Sequence, residues 1–404
     1  MNLKLKKGQK TTGMFSIKEV ICLLIITCTV NAAIYIYINI NIVKKGNVVD
    51  GNENNIQEIF DTYNYIKENY YKETNDKSLI KGAIKGMMES LGDNYSTYIG
   101  EDESDTYNII LQGEYEGVGI QIMENNNGTI ISSIIPNSPA MKTDLKVGDL
   151  IKKINGKDAT SMKMGEIGNI IKNGTQTDFE IVVSRNNEEK IIKVKRAKII
   201  LDSVSSKVIE KDNKKIGYIY IDIFASNTDK QFNKKLKELE NQNINSLILD
   251  LRGNSGGHLT AVTNMISEFV DSSKVIYQTD QKGKIVKKYS TGNITKTYPI
   301  VILVNNSSAS ASEVMAGSLK EIYDAKLVGT KTFGKGTIQN LLPVNATGEN
   351  FKLTTKKWLT PKGVWIDGIG INPDYEVILS NEYMTNPIES NDNQLQKALD
   401  LLLK

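Results

Sequence analysis

The chain has 404 residues, 40% of them hydrophobic and 24% charged, with 7 prolines and 31 glycines. That is length for two or three domains, each with its own core, and the composition excludes a disordered, collagen-like or polytopic membrane chain. The net charge of +3 sits at the N-terminus, where Lys4, Lys6, Lys7, Lys10 and Lys18 face Glu19 alone; the near-neutral body argues against nucleic acid as a partner.

In chain order, residues 1–19 read as a basic tail and residues 20–43 as a transmembrane anchor. Val20–Ile38 runs for 19 residues without a charge, enough to cross about 30 Å of hydrocarbon as one helix. The lysines before it predict a cytoplasmic N-terminus, with the rest of this single-pass chain outside the cell membrane. A cleaved signal peptide is the rival, since Asn31-Ala32-Ala33 offers small residues, but the apolar run continues beyond them. Cys22 and Cys28 both lie in this run and are the chain's two cysteines, so a disulfide framework and a cysteine–zinc site are excluded by count.

Residues 50–110 read as a helical region. Ile56, Ile59, Phe60, Tyr63 and Ile66, then Leu79, Ile80, Ala83, Ile84 and Met87, recur at three- and four-residue spacing. This predicts two amphipathic helices ahead of the turn Leu91-Gly92-Asp93-Asn94-Tyr95-Ser96. The expected role is a cap or a homodimer surface, without chemistry.

Residues 111–198 change to short strands, predicted at Val118–Met123, Thr129–Ile134, Leu150–Ile154 and Phe179–Val183, with one helix at Lys163–Lys172. Tyr115-Glu116-Gly117-Val118-Gly119-Ile120 sets a glycine-flanked turn before a strand. Ser138-Pro139-Ala140 then precedes Leu145-Lys146-Val147-Gly148-Asp149-Leu150-Ile151 and Ile154-Asn155-Gly156. A turn of the first kind can point backbone N–H groups at a terminal carboxylate while the next strand edge pairs with an extended peptide. Together these runs resemble a PDZ domain, with Tyr115–Ile120 looking like its carboxylate-binding loop.

Residues 199–380 alternate strand and helix. Strands are expected at Ile216–Ile221, Ser246–Leu251, Pro299–Val304 and Lys326–Val328, and helices at Asp229–Gln242, Leu259–Phe269 and Ser310–Tyr323. This order implies a largely parallel sheet covered by helices. A last amphipathic helix, Asn393–Leu403, falls in residues 381–404.

Three clusters follow predicted strands, where open α/β sheets place their sites. They are Asp250–Gly257, Asn305–Glu313 and Thr332–Gln339. A small-residue strand-to-helix turn can expose a serine hydroxyl where helix N–H groups stabilise developing negative charge. Lys335 between two glycines is a candidate base, provided burial lowers its pKa so that the amine is neutral. The Gly256-Gly257 pair could present a backbone N–H unobstructed. His258, the single histidine, excludes any site with two histidine ligands. Taken singly, a serine-rich turn is an ordinary helix cap and a Gly-Lys-Gly run an ordinary loop. The run Gly334-Lys335-Gly336-Thr337 is no phosphate loop, because Gly336 stands where that motif needs Ser or Thr after its lysine.

Taken together, the clusters resemble the carboxyl-terminal processing peptidases, the tail-specific serine proteases of peptidase family S41. The matching runs are Ser308-Ala309-Ser310-Ala311-Ser312-Glu313, Thr332-Phe333-Gly334-Lys335-Gly336-Thr337 with Gln339, Leu359–Gly363 and Gly370–Asp374. The resemblance implies Ser310 as nucleophile, Lys335 as base and Gln339 as the residue orienting it. It implies an oxyanion hole from the N–H of Ala311 with that of Gly256 or Gly257, Gly256 being slightly preferred, and Ser308 and Ser312 as rival nucleophiles only under a misaligned motif. Asn94 replaces the family's proline, and Lys172-Asn173-Gly174 replaces an Arg-Gly pair. His258 reads as a neighbour of the site.

The expected fold is therefore α/β multidomain: a transmembrane helix, a helical segment, a β-rich PDZ domain and an α/β protease core of the tail-specific type. The expected function is a membrane-anchored serine endopeptidase with a Ser–Lys dyad. Its substrates would be proteins or peptides with free C-termini captured by the PDZ domain, and no metal or organic cofactor is implied. The rival of another class is a non-catalytic, membrane-bound PDZ scaffold, which predicts decay of Ser310, Lys335 and Gln339. Acyl-CoA chemistry on a similar core is disfavoured by the PDZ domain and the Ser–Lys pair.

Overall fold

The computed structural model describes residues 53–173, 176–344 and 349–404. The basic tail, the run at residues 20–43 read as an anchor, and Gly174 lie outside the described residues. Among those described, no helix is long and apolar enough to cross a membrane. The chain divides into two units, one up to Ile84 and one from Lys85 onward.

The first unit shows the predicted periodicity in α1 (Glu53–Asn69) and the start of α2 (Asp76–Glu89). Lys67 pairs with Asp76 at 3.0 Å across the intervening turn. Ile56, Ile59, Phe60 and Ile80 stay about half exposed along these helices.

The second unit begins with β1 (Thr97–Ile99) and α3 (Glu101–Gln112), then the PDZ-like sheet. That sheet takes in β3 (Ile120–Asn125), β4 (Gly128–Ile134), β5 (Leu150–Ile154), β7 (Asp178–Arg185) and β8 (Glu188–Lys195) in this spatial order. β6 (Lys157–Asp158) adds to β5, and α4 (Met164–Asn173) packs beside β3. Alternating residues of these strands and one face of α4 meet in a core of Ile131, Ile151, Ile154, Ile167, Phe179 and Ile181. The Gly-Asp pair of the sequence has a structural role here. Buried Asp149 accepts from Nε and Nη2 of Arg185 at 2.6 and 2.7 Å and from the Lys146 N–H at 2.9 Å. β2 (Glu114–Gly117) leaves this sheet to pair with β9 (Ala197–Ile200), joining the two ends of the domain.

The remaining elements are β10 (Val204–Lys211), β11 (Lys214–Ile221), α5 (Thr228–Glu240), β12 (Ser246–Asp250), α6 (Leu259–Ser267), β13 (Val275–Gln281), β14 (Lys284–Tyr289), β15 (Ile300–Val304), α7 (Ala311–Tyr323), β16 (Lys326–Gly329), β17 (Thr337–Pro343), β18 (Asn350–Leu359), β19 (Tyr375–Glu376), α8 (Asn381–Thr385) and α9 (Asn393–Leu403). The main sheet runs β10-β11-β12-β15-β16-β19, parallel from β11 onward, with Leu249 beside Ile302 and Ile302 beside Leu327. Every residue of β12 and β15 is buried, as strands covered on both faces require. The period of two divides their side chains. Leu247, Leu249, Ile300, Ile302 and Val304 join α5, α6 and α7 on one face. Ile248, Val301 and Leu303 meet Leu395, Ala398, Leu399 and Leu402 of α9 on the other. Each buried leucine of α9 contributes roughly 1.5–3 kcal/mol, enough to hold this terminal helix down.

A second sheet has the order β1-β18-β13-β14, with β17 also on β18. It brings the turn before β1 and the strand carrying Gln339 onto one neighbour, β18.

Candidate active site

Because β12, β15 and β16 are parallel neighbours, the loops leaving their C-terminal ends lie side by side. These loops carry the three clusters singled out in the sequence.

Ser310 is the N-cap of α7 and sits at φ +55°, a left-handed conformation that costs a non-glycine residue of order 1–3 kcal/mol. The turn is held from several sides. Ser308 Oγ donates to the Leu251 carbonyl at 2.8 Å, Ser312 Oγ to the Asn254 carbonyl at 2.8 Å, and the Ala309 N–H to the same Asn254 oxygen at 3.1 Å. Ser308 and Ser312 are fully buried, whereas Ser310 is partly exposed. The motif thus has two structural serines flanking one that opens outward.

Glu313 is the residue whose importance the sequence concealed. Its carboxylate is completely buried and accepts four hydrogen bonds. Oε2 takes the N–H of Ser310 and the N–H of Lys335, both at 2.9 Å. Oε1 takes Thr332 Oγ1 and the Gly334 N–H, both at 2.6 Å. One carboxylate oxygen therefore fixes the main chain of the serine turn and of the lysine loop together. The S-A-S-A-S-E spacing put an acid at the third helical position, a signal for a capping box, but its partners across the fold carry no sequence mark.

Lys335 is further anchored by its carbonyl, which accepts from Trp358 Nε1 at 2.7 Å. Burial, and next the positive charge of Lys352, push its ammonium below the usual lysine range, against the opposing pull of Asp93 and Glu313. Its Nζ lies 4.9 Å from the ring centroid of Tyr95. No hydrogen bond joins it to Ser310 among the described residues. Gln339 on β17 donates instead to Thr337 Oγ1 at 2.9 Å and Thr354 Oγ1 at 3.0 Å, and makes no hydrogen bond to Lys335. His258 stands at the N-cap position of α6 without a side-chain capping bond; its Nε2 is buried and has no partner among the described residues, and none of its hydrogen bonds reaches Ser310.

The two glycines differ. Gly256 adopts φ +111°, and a side chain there would lie 2.8 Å from Ser310 Cβ. Its N–H already donates to Asn254 Oδ1 at 2.8 Å. Gly257 adopts φ +139°, and a Cβ would lie 2.2 Å from the Phe224 carbonyl oxygen. The N–H groups of Gly257 and Ala311 have no acceptor among the described residues. The Ala311 nitrogen is 3.1 Å from where a Gly256 Cβ would stand. Ala311 and Gly257 therefore keep uncommitted N–H groups, whereas Gly256 spends its N–H internally.

Of Tyr115, Glu116, Gly117, Val118, Gly119 and Ile120, only Val118 and Gly119 lie in the turn; the first three belong to β2 and Ile120 opens β3. The ladder to β9 takes residues that sequence reading assigned to the loop. Val118 and Gly119 N–H groups have no acceptor among the described residues. β3 is an edge of its sheet, open to a further strand.

The sequence matches Peptidase family S41 over residues 215–377, a PDZ domain over residues 108–183, and the activating protease CtpB N-terminal domain over residues 32–103. The carboxy-terminal processing protease CtpA of Bacillus subtilis (strain 168) is 35% identical over 363 residues, covering 88% of this chain and 76% of that protein. A probable CtpA-like serine protease of Staphylococcus aureus (strain MRSA252) is 34% identical over 358 residues, covering 88% of this chain and 70% of that protein. The solved structure of a photosystem II D1 C-terminal processing protease is similar at 22% identity and a TM-score of 0.48, over 79% of this chain and 92% of that one. With a PDZ domain preceding an α/β core whose sequence matches at this level, the chain belongs to the carboxy-terminal processing proteases, serine-type peptidases of family S41.

Proposed function

We propose that this peptidase uses Ser310 as nucleophile and Lys335 as general base, outside the cell membrane to which residues 20–43 anchor it. The observation that carries the reading is the partly exposed Ser310 at φ +55° on the N-terminus of α7, tied through Glu313 to the lysine loop, beside the uncommitted N–H groups of Ala311 and Gly257. The neutral Lys335 amine takes the Ser310 hydroxyl proton as Oγ attacks the scissile carbonyl carbon. The resulting oxyanion is held by the N–H groups of Ala311 and Gly257, preferred over Gly256 because the latter already donates to Asn254. Collapse breaks the C–N bond, and the Lys335 ammonium returns the proton to the leaving amine. Water then attacks the acyl-serine by the same route in reverse. Gln339 would orient the base once its amide leaves Thr337 and Thr354.

The open edge of β3 and the free N–H groups at Val118 and Gly119 suit a free C-terminal tail of a protein substrate. Binding energy at that tail then helps place the upstream chain against Ser310. The uncharged run Val20–Ile38 behind five lysines supports a single-pass anchor with a cytoplasmic N-terminus. The half-exposed stripe of Ile56, Ile59, Phe60 and Ile80 supports pairing of two copies through the N-terminal helices. The test is mass spectrometry of products from a tailed protein substrate. Wild type should cut it and Ser310→Ala should not, while both retain the tail. Cutting by Ser310→Ala would refute the nucleophile, and tail binding without cutting by wild type would favour a scaffold.

A further inference from the structure

The turn Asp93–Ser96 carries no chemistry in its sequence, yet it reaches the base. Asp93 Oδ1 accepts the Tyr95 N–H at 3.0 Å, and Oδ2 accepts Ser96 Oγ. Ser96 is buried, and its Oγ in turn accepts the Thr354 N–H of β18 at 3.0 Å. Pairing of β1 with β18 at Thr97–Ile99 fixes the same segment from its other end. The product of this double attachment is a half-buried Tyr95 whose ring stands 4.9 Å from Lys335 Nζ.

A lysine base makes two opposed demands. At rest the amine must be neutral, which burial favours; during attack it becomes an ammonium, which burial disfavours. A carboxylate in ion-pair contact with it would satisfy the second demand by defeating the first. An aromatic face attracts a cation with less pull on the resting proton. We propose that Tyr95 is a positioning residue for Lys335, its ring face supporting the amine as it takes charge during proton transfer. This inference rests on Lys335 being the base. Burial and the carboxylates of Asp367, Glu313 and Asp93 push the Tyr95 phenol up, so the ring stays un-ionised. The charged groups facing the amine are Lys352 on β18, Asp93 in the turn and Glu313 on α7, with Asp367 holding the adjacent Gly336 N–H at 2.8 Å.

The test uses the full chain with Tyr95→Phe and Tyr95→Leu. Leucine keeps the amine covered but removes the ring face, so kcat should fall roughly three- to thirtyfold. The pH at which kcat/KM rises should also move about half a unit to the acid side, because the ammonium has lost a stabilising neighbour. Phenylalanine, which keeps the ring face, should restore both. A residue that merely filled space would lower activity without moving the limb. The second readout is the pH dependence of Lys335 acylation by acetic anhydride, followed by mass spectrometry in the Ser310→Ala background, where no turnover is needed. The same acidward shift is expected there with Tyr95→Leu. If Tyr95→Leu leaves both profiles in place, the inference is overturned while Lys335 remains the base. If Lys335→Ala retains wild-type turnover, the catalytic reading fails and this inference falls with it.

Discussion

Replacing Glu313 tests whether one buried carboxylate holds the serine turn and the lysine loop together. Alanine removes the fully buried acceptor of three backbone N–H groups, those of buried Gly334 and part-buried Ser310 and Lys335. The Thr332 hydroxyl can turn elsewhere. At about 1–3 kcal/mol for each unsatisfied donor, and with water recovering part of the loss, we expect destabilisation of about 4 kcal/mol. For a unit of this size that lowers Tm by roughly 8 °C. Glutamine keeps one acceptor oxygen. If that oxygen serves Ser310 and Lys335, the amide nitrogen faces Thr332 Oγ1, which can accept, and only the Gly334 N–H is stranded, so the loss should be about half as large. The activity should fall more steeply than the stability. Displacing either main chain by an ångström is enough for roughly a hundredfold loss in kcat, with KM little changed under the proposal that the tail binds at the PDZ domain. Thermal unfolding and steady-state kinetics on a tailed peptide report the two effects. A Glu313→Ala protein with wild-type Tm and kcat would refute the reasoning.

Two further outcomes follow. Arg252→Ala removes the guanidinium shared by the buried carboxylates of Asp250 and Asp392, at 2.6 and 2.8 Å, and should cost about 3–5 kcal/mol; because Asp392 caps α9, protease digestion should release that helix first, and an intact helix with unchanged unfolding would contradict the assignment. Amidating the C-terminus of a substrate peptide should weaken its binding to the full-length Ser310→Ala protein, measured by calorimetry, whereas equal affinity for acid and amide would remove carboxylate capture at Val118 and Gly119.

The parts of this fold that could be read in advance are those with a single strong period. β12 and β15 are apolar throughout because helices cover both faces, and α9 repeats its leucines at helical spacing because only one face is buried. β14 escaped notice because all six of its residues are exposed and three are lysine, so no alternation survives. β18 mixes lysine, threonine and tryptophan because it pairs with β17 along most of its length and with β1 and β13 at its two ends. At the site, residue types at fixed spacing marked the three loops. What they could not mark was direction. Whether Gly256 or Gly257 keeps a free N–H depends on where the Asn254 side chain points. The approach of Tyr95 to Lys335 depends on contacts such as Ser96 to Thr354, 258 residues apart. The tie between Ser310 and Lys335 depends on which way Glu313 turns.

In the proposed mechanism a half-buried lysine, and not the histidine, activates Ser310. The most direct measurement is kcat/KM against pH on a short peptide, for wild type and His258→Ala. Burial first, and then Lys352, hold the Lys335 ammonium below the ordinary lysine value. Only the neutral amine accepts the serine proton, so the active fraction grows as pH rises through that lowered value and then persists. We predict a single rising limb below the free-lysine value of about 10.4, with activity maintained into the alkaline range and an unchanged profile in His258→Ala. A limb centred near about 6.5 that vanishes with His258→Ala would contradict the lysine base.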